Sequence, residues 1–124
     1  MTPTILIVDD DENVRRMAHA ALTAYGYRDV LQAENASEAL EISAKHPKPI
    51  LLLSDISMPG QLNGRELARK ISEDRPETKV VLMSGEVKPA ECVRQGWRFI
   101  PKPFLVSTLI ETVKEVLNEW HEYG

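Results

Sequence analysis

The sequence predicts an α/β fold: one parallel sheet with helices on both faces. Three observations carry this. Short continuous apolar runs of strand length recur along the chain, as expected of strands covered on both sides. Segments with apolar residues at helical spacing separate them. Gly, Pro or Asn punctuates most junctions. Such an alternation implies a parallel sheet joined by right-handed crossovers.

The first strand is TILIV at 4–8. Val14, Met17, Ala18, Ala21, Leu22 and Tyr25 then repeat at helical spacing, and Gly26 supplies a stop. VLQAE at 30–34 is a weaker strand. Asn35 with Glu38 three residues on resembles a helix-start box, followed by Ala36, Ala39 and Leu40 on one face. Pro47 and Pro49 end that helix, and ILLLS at 50–54 is the third strand. After a Gly- and Pro-rich loop, RELARKISED reads as a helix that buries Leu67 and Ile71. KVVLMS at 79–84 is the fourth strand, and WRFI at 97–100 a shorter fifth, where Pro101 suits an edge position. Leu109, Val113, Val116, Leu117 and Trp120 stripe a final helix.

The chain has 124 residues, which suits one domain and allows roughly two-thirds of the unfolded surface to be buried. No disulfide or structural metal is needed to fold it, and the single cysteine, Cys92, fits a reducing compartment. Fifteen Lys and Arg against 19 Asp and Glu give a formal charge of −4. With no basic tract, direct binding of nucleic acid is not expected. No apolar run approaches the ~18 residues needed to span a bilayer, and no signal-peptide pattern opens the chain. The expectation is a soluble, cytoplasmic protein with no membrane partner.

Ligands of such sheets bind at the carboxyl ends of the strands, near the switch point in strand order. Asp9 and Asp10 close the first strand, Asp55 the third and Ser84 the fourth, while Lys102 lies just past the fifth. Each has a bland reading on its own: acidic residues at a helix start, a turn serine, a solvated lysine. Their placement at the same end of different strands favours a site. Carboxylates that cannot avoid one another share a proton or bind a cation, and oxygen-only ligands favour a hard ion such as Mg²⁺. A hard cation with a lysine and a hydroxyl can hold a phosphoryl group. With no Cys or His among these strand-end groups, a carboxylate is the nucleophile, and Asp55 is the candidate.

Together ILIVDDDENVRRM, LLLSDISMPG…NG, VVLMSG and FIPKPF resemble the receiver domain of two-component response regulators, from residue 4 to about 120. The resemblance implies a flavodoxin-like fold with strand order 2-1-3-4-5, and residues 1–124 as a single receiver domain with no output domain. By position it makes Asp55 the phosphoacceptor for a histidine kinase or histidine phosphotransfer protein. Asp10 and Asp55 would ligate Mg²⁺ (or Mn²⁺) with the main-chain carbonyl of Ser57, and Asp9 would act through a bound water. Lys102 would pair with the phosphoryl group, and the Lys102–Pro103 bond would be cis. Ser84 and Phe99 would form the switch to an unnamed protein target, with room for a phosphorylation-dependent dimer. Ser57 and Glu86 would tune dephosphorylation.

Three features depart from the family pattern. The loop MPGQLNG is a residue longer than the common version and resembles receivers attached to hybrid sensor kinases. The stretch between Ser84 and Phe99 is short and contains Pro89, so the fourth helix is expected to be short, distorted or absent. Trp97 replaces a small residue, either covering that thinned region or simply packing in the core. Two other readings remain. An Asp-nucleophile phosphatase would place a second acid two residues after the nucleophile, where this chain has Ser57. A degenerate receiver used only as a binding surface would need none of Asp9, Asp10, Asp55, Ser84 and Lys102.

Overall fold

A computed structural model describes residues 3–46, 50–86 and 88–123, with the side chains of 119–123 outside the description. Five strands and five helices alternate: β1 (Thr4–Val8), α1 (Glu12–Tyr25), β2 (Val30–Ala33), α2 (Ala36–Lys45), β3 (Ile50–Asp55), α3 (Gly64–Asp74), β4 (Lys79–Ser84), α4 (Ala90–Gln95), β5 (Arg98–Pro101) and α5 (Val106–Tyr123). The strands pair in parallel in the order β2-β1-β3-β4-β5. The doubly wound sheet expected from the sequence is therefore present.

Why these runs become strands follows from the two sides of the sheet. Ile5, Ile7, Leu51, Leu53, Val81 and Met83 face α1 and α5, packing with Leu22, Leu109 and Val113. Their alternate neighbours Leu6, Val8, Ile50, Leu52, Val80 and Leu82 face α2, α3 and α4, packing with Ala39, Leu67, Ile71 and Cys92. Side chains alternate sides along a strand, so a strand buried on both faces has no polar positions left.

Element boundaries move slightly. β2 stops at Ala33 rather than Glu34, β3 runs on through Asp55, and β5 is shifted by one residue to Arg98–Pro101. Tyr25, assigned above to the apolar stripe of the first helix, is 50% exposed. It ends α1 on the outside, its ring 5.7 Å from that of Tyr27, with the Lys114 ammonium 5.7 Å from its centroid. Pro47, Pro49 and the side chain of Trp120 lie outside the described residues. Trp97 is half-buried against the core on the α2–α3 side.

The acidic run at the start of α1 divides its labour. Asp11 is the N-cap, its carboxylate accepting from the Asn13 and Val14 amides at 2.9 and 3.3 Å. Glu12 forms an exposed pair with Arg16 one turn on. Asp9 and Asp10 are thereby left for something else. Gly26 ends the helix at φ 123°, a conformation that glycine adopts without a Cβ penalty.

α4 is only six residues long, starts on Pro89 with no side-chain cap, and ends on the left-handed Gly96. The expected short fourth helix is borne out. An ion cluster compensates for its length. The Glu91 carboxylate, 7% exposed, accepts from Arg69 Nε at 2.6 Å and from Arg69 Nη2 at 3.1 Å, with Arg65 Nε 3.6 Å away. α3 thus holds α4 by a forked, charge-assisted contact.

The bond from Arg69 holds the Glu91 carboxyl below its ordinary value of 4.5, outweighing burial. A depressed acid stabilises the fold above its unfolded value, and that contribution is lost as pH falls below about 4.5 through the folded value. Glu91→Gln is expected to lower stability at pH 7 by about 1–2 kcal/mol, limited because both arginines reach water. Urea melts of both proteins should converge as the pH falls from about 4.5 through the folded value. A constant gap across that range would assign the loss to packing.

Candidate functional site

β1 and β3 are neighbours, but the chain leaves them toward opposite ends of the sheet, so the crevice above their carboxyl ends is the switch point. Asp9 and Asp10 follow the last residue of β1, and Asp55 is the last residue of β3. Facing carboxylate oxygens of Asp9, Asp10 and Asp55 lie within 4.8 Å of one another. Asp9 is fully buried, Asp55 nearly so, and Asp10 is exposed. The crevice is therefore closed at its floor and open at its rim.

Lys102 enters from the loop after β5. Its amide donates to Ser84 O at 2.8 Å, which aims the residue back over the sheet. Its Nζ lies 2.8 Å from Asp9 Oδ2 and 3.2 Å from Asp55 Oδ1. The Lys102–Pro103 peptide is cis, as the resemblance implied. Asp9 is further satisfied: Oδ1 accepts from the Asp11 amide at 2.9 Å, and Arg15 Nη1 donates to its main-chain oxygen at 2.8 Å.

One ammonium shared by two buried acids leaves them unequal. Burial, then the Asp9 charge, raise the Asp55 carboxyl above its ordinary value, and Lys102 only partly opposes this. Lys102 moves the other way. Burial alone would lower its pKa, yet the bonds and charges of Asp9 and Asp55 more than offset it and hold it above the ordinary value. The shorter contact goes to Asp9, so Asp55 is the under-compensated acid of the crevice.

Ser84 ends β4 and is buried. Its Oγ accepts from the Glu86 amide at 3.0 Å. Ser57 and Glu86 are exposed on the loops after β3 and β4. Phe99, in β5, is half-buried against the α2–α3 side and pairs in register with Leu82. The structure thus brings Asp9, Asp10, Asp55 and Lys102 together, sets Ser84 at the adjacent strand end, and leaves Ser57 and Glu86 in the surrounding loops.

Three further residues shape the crevice without having been singled out by the sequence. Asp11 caps α1, Arg15 braces the Asp9 main chain, and Gly64 packs α3 against the end of β3. A capping signal was readable at Asp11, since an acidic residue before a helical pattern is a common start. Asn63 and Glu66 form a full capping box on α3 and carried the same kind of signal.

Residues 5–114 match the profile of the family described as the response regulator receiver domain. The chain belongs to that family. Among curated relatives, a chemotaxis protein CheY homologue of Campylobacter jejuni is 34% identical over 120 residues, covering 92% of each chain. A CheY-like receiver domain protein of Methanospirillum hungatei superposes with a TM-score of 0.88 at 31% identity over the full length of both chains. The receiver domain of the hybrid histidine kinase CckA is 37% identical with a TM-score of 0.79, over 92% of this chain and 98% of that domain.

As a receiver domain, the chain is a two-component signalling domain rather than a conventional enzyme. Its acidic cluster could hold a metal ion, and the donor set fits the Mg²⁺ that receiver domains generally bind: hard carboxylate oxygens, with neither His nor Cys among them. Among the described residues, no helix is long and apolar enough to cross a membrane.

Proposed function

We propose that this receiver domain accepts a phosphoryl group on Asp55 from the phosphohistidine of a histidine kinase or phosphotransfer protein, and that the aspartyl phosphate changes which protein the domain contacts. The observation that supports it best is the convergence of Asp9, Asp10, Asp55 and Lys102 on one crevice at the switch point. A cytoplasmic setting goes with this reading.

An Asp55 carboxylate oxygen attacks phosphorus, the P–N bond to the donor imidazole breaks with its electron pair going to nitrogen, and the imidazole leaves neutral, keeping the proton already on its other nitrogen. Raised by burial and by Asp9, the Asp55 anion is poorly compensated and correspondingly nucleophilic. Asp10, Asp55 and the Ser57 carbonyl would hold Mg²⁺, with Asp9 acting through a bound water, and the ion would supply positive charge to offset that growing on the phosphoryl oxygens. Lys102, already against Asp55, pairs with one of those oxygens. Ser84 donates its hydroxyl proton to another, and Phe99 repacks as that hydroxyl moves. Ser57 and Glu86, exposed beside the crevice, control water access and so the lifetime of the acyl phosphate.

The phosphatase reading lacks its second acid, because Ser57 stands two residues after Asp55. A scaffold reading leaves the buried, mutually repelling carboxylates without a purpose. Intact mass after incubation with Mg²⁺ and a small acyl phosphate tests the proposal. Wild type should gain one phosphoryl group and Asp55→Asn none. An unmodified wild type, or equal labelling of the variant, would overturn it, and steady release of phosphate from unrelated monoesters would point back to an enzyme.

A further inference from the structure

The end of β3 is held from a side that the strand-end chemistry does not explain. Gly64, the first residue of α3, has an ordinary negative-φ backbone, so no conformational need for glycine exists there. Space is the reason. A Cβ at Gly64 would collide with the main-chain oxygen of Asp55, and would lie 2.9 Å from both the Asp55 carbonyl carbon and Ile56 Cα. All three are backbone atoms, so no rotamer change relieves the contact.

The same carbonyl oxygen is engaged from the strand side. Ser54, fully buried, donates its Oγ proton to Asp55 O at 2.9 Å. The neighbouring peptide is fixed as well, with the Ile56 amide donating to Met83 O at 2.9 Å and the Gly64 amide donating to Ile56 O at 2.8 Å. α3 cannot easily back away, because Leu67, Ala68 and Ile71 anchor it in the core and the Asn63–Glu66 box fixes its start.

We infer that Gly64 and Ser54 are positioning residues for Asp55: both bear on its main-chain carbonyl, so that its carboxylate meets Asp9, Asp10 and Lys102 in register. This rests on the reading of Asp55 as phosphoacceptor. An added methyl at Gly64 must displace either α3 or the Asp55–Ile56 peptide. Loss of the Ser54 hydroxyl frees the carbonyl from its buried donor. Either change misaligns the nucleophile, while glycine-to-alanine in a helix is otherwise favourable. Gly85, the exposed glycine after β4, is the matched control, because a Cβ there meets nothing within 4 Å.

The test measures the rate constant for phosphorylation by acetyl phosphate, by intact mass, across a Mg²⁺ titration. It compares wild type, Gly64→Ala, Ser54→Ala, Gly85→Ala and Asp55→Asn, with circular dichroism melts alongside. Gly64→Ala should react more slowly by on the order of tenfold or more and need more Mg²⁺ for half-saturation. Ser54→Ala should shift both quantities in the same direction by less, and Gly85→Ala should match wild type. A merely structural role would lower the fraction labelled while leaving the rate constant and Mg²⁺ half-saturation of the folded molecules unchanged. That result, or a folded Gly64→Ala indistinguishable from wild type, overturns the inference. If Gly64→Ala does not fold, Ser54→Ala decides alone, and wild-type values for it overturn the inference equally. Folded wild type that takes no phosphoryl group on Asp55 removes the reading underneath, and the inference with it.

Discussion

Lys102→Met is expected to slow phosphorylation of Asp55 by about 10²- to 10³-fold, the usual loss for a group aimed at developing charge. It should also destabilise the metal-free fold by about 2–3 kcal/mol. Both effects come from one ammonium serving two purposes. In the resting crevice Nζ lies 2.8 Å from Asp9 and 3.2 Å from Asp55, and among the described residues it is the cation paired with both carboxylates. Removing it leaves the fully buried Asp9 carboxylate with the Asp11 amide but without its ion-pair partner. The expected loss is smaller than for a sealed ion pair because the Lys102 side chain is 21% exposed and the rim of the crevice is open. Added Mg²⁺ should restore most of the stability, since a divalent cation replaces the lost charge, yet should not restore the rate. Melting of the variant and wild type with and without Mg²⁺ checks this. A metal-free variant as stable as wild type would mean that the shared contact does not hold the fold.

The second large effect runs in the opposite direction. Asp55→Asn should make the metal-free protein more stable, by about 1 kcal/mol, while ending its chemistry. The Asp55 carboxyl is held above its ordinary value of 3.8, so the folded chain binds its proton more tightly than the unfolded chain does. Stability then falls as pH rises from 3.8 through the folded value, and at neutral pH the full penalty is present. An amide at this position removes the penalty and leaves Lys102 to Asp9. Mg²⁺ should invert the comparison. At a concentration a hundred times its dissociation constant, a ligand bound only by the folded state adds about 2.7 kcal/mol, and the variant, lacking one of the carboxylates, should gain much less. The two melting curves should therefore change order between chelator and saturating Mg²⁺. Parallel shifts in both proteins would show that Asp55 takes no part in holding the cation.

These two substitutions involve residues that are legible in the sequence. TILIV, ILLLS and KVVLMS read as strands covered on both faces, and a parallel sheet brings the residues after such strands to one edge. Asp9, Asp10, Asp55 and Lys102 followed from that geometry, and the four quoted motifs added strand order and roles. What stayed hidden depends on contacts between elements. Glu91 reads as a solvated helix residue until α3 is laid beside α4, where Arg69, 22 positions earlier, meets it. Gly64 reads as a turn glycine, because nothing in NG reveals that a Cβ there would run into a backbone carbonyl nine residues back. Tyr25 was misassigned for the opposite reason: the period continued into the last turn of α1, but the sheet no longer lay beneath it.

The outer edge of the sheet carries one more consequence. β5 is a border strand of four residues with Pro101 at its end. The next amide, from Lys102, points inward to Ser84 O. Successive amides along a strand face opposite sides, so the one that proline lacks is the one that would have faced outward. A foreign strand arriving at this margin finds a short template with a missing donor. The bond that aims Lys102 into the crevice thus lies beside a barrier to fibril growth, and the edge that lends the crevice its lysine is poorly able to recruit another copy by β-pairing.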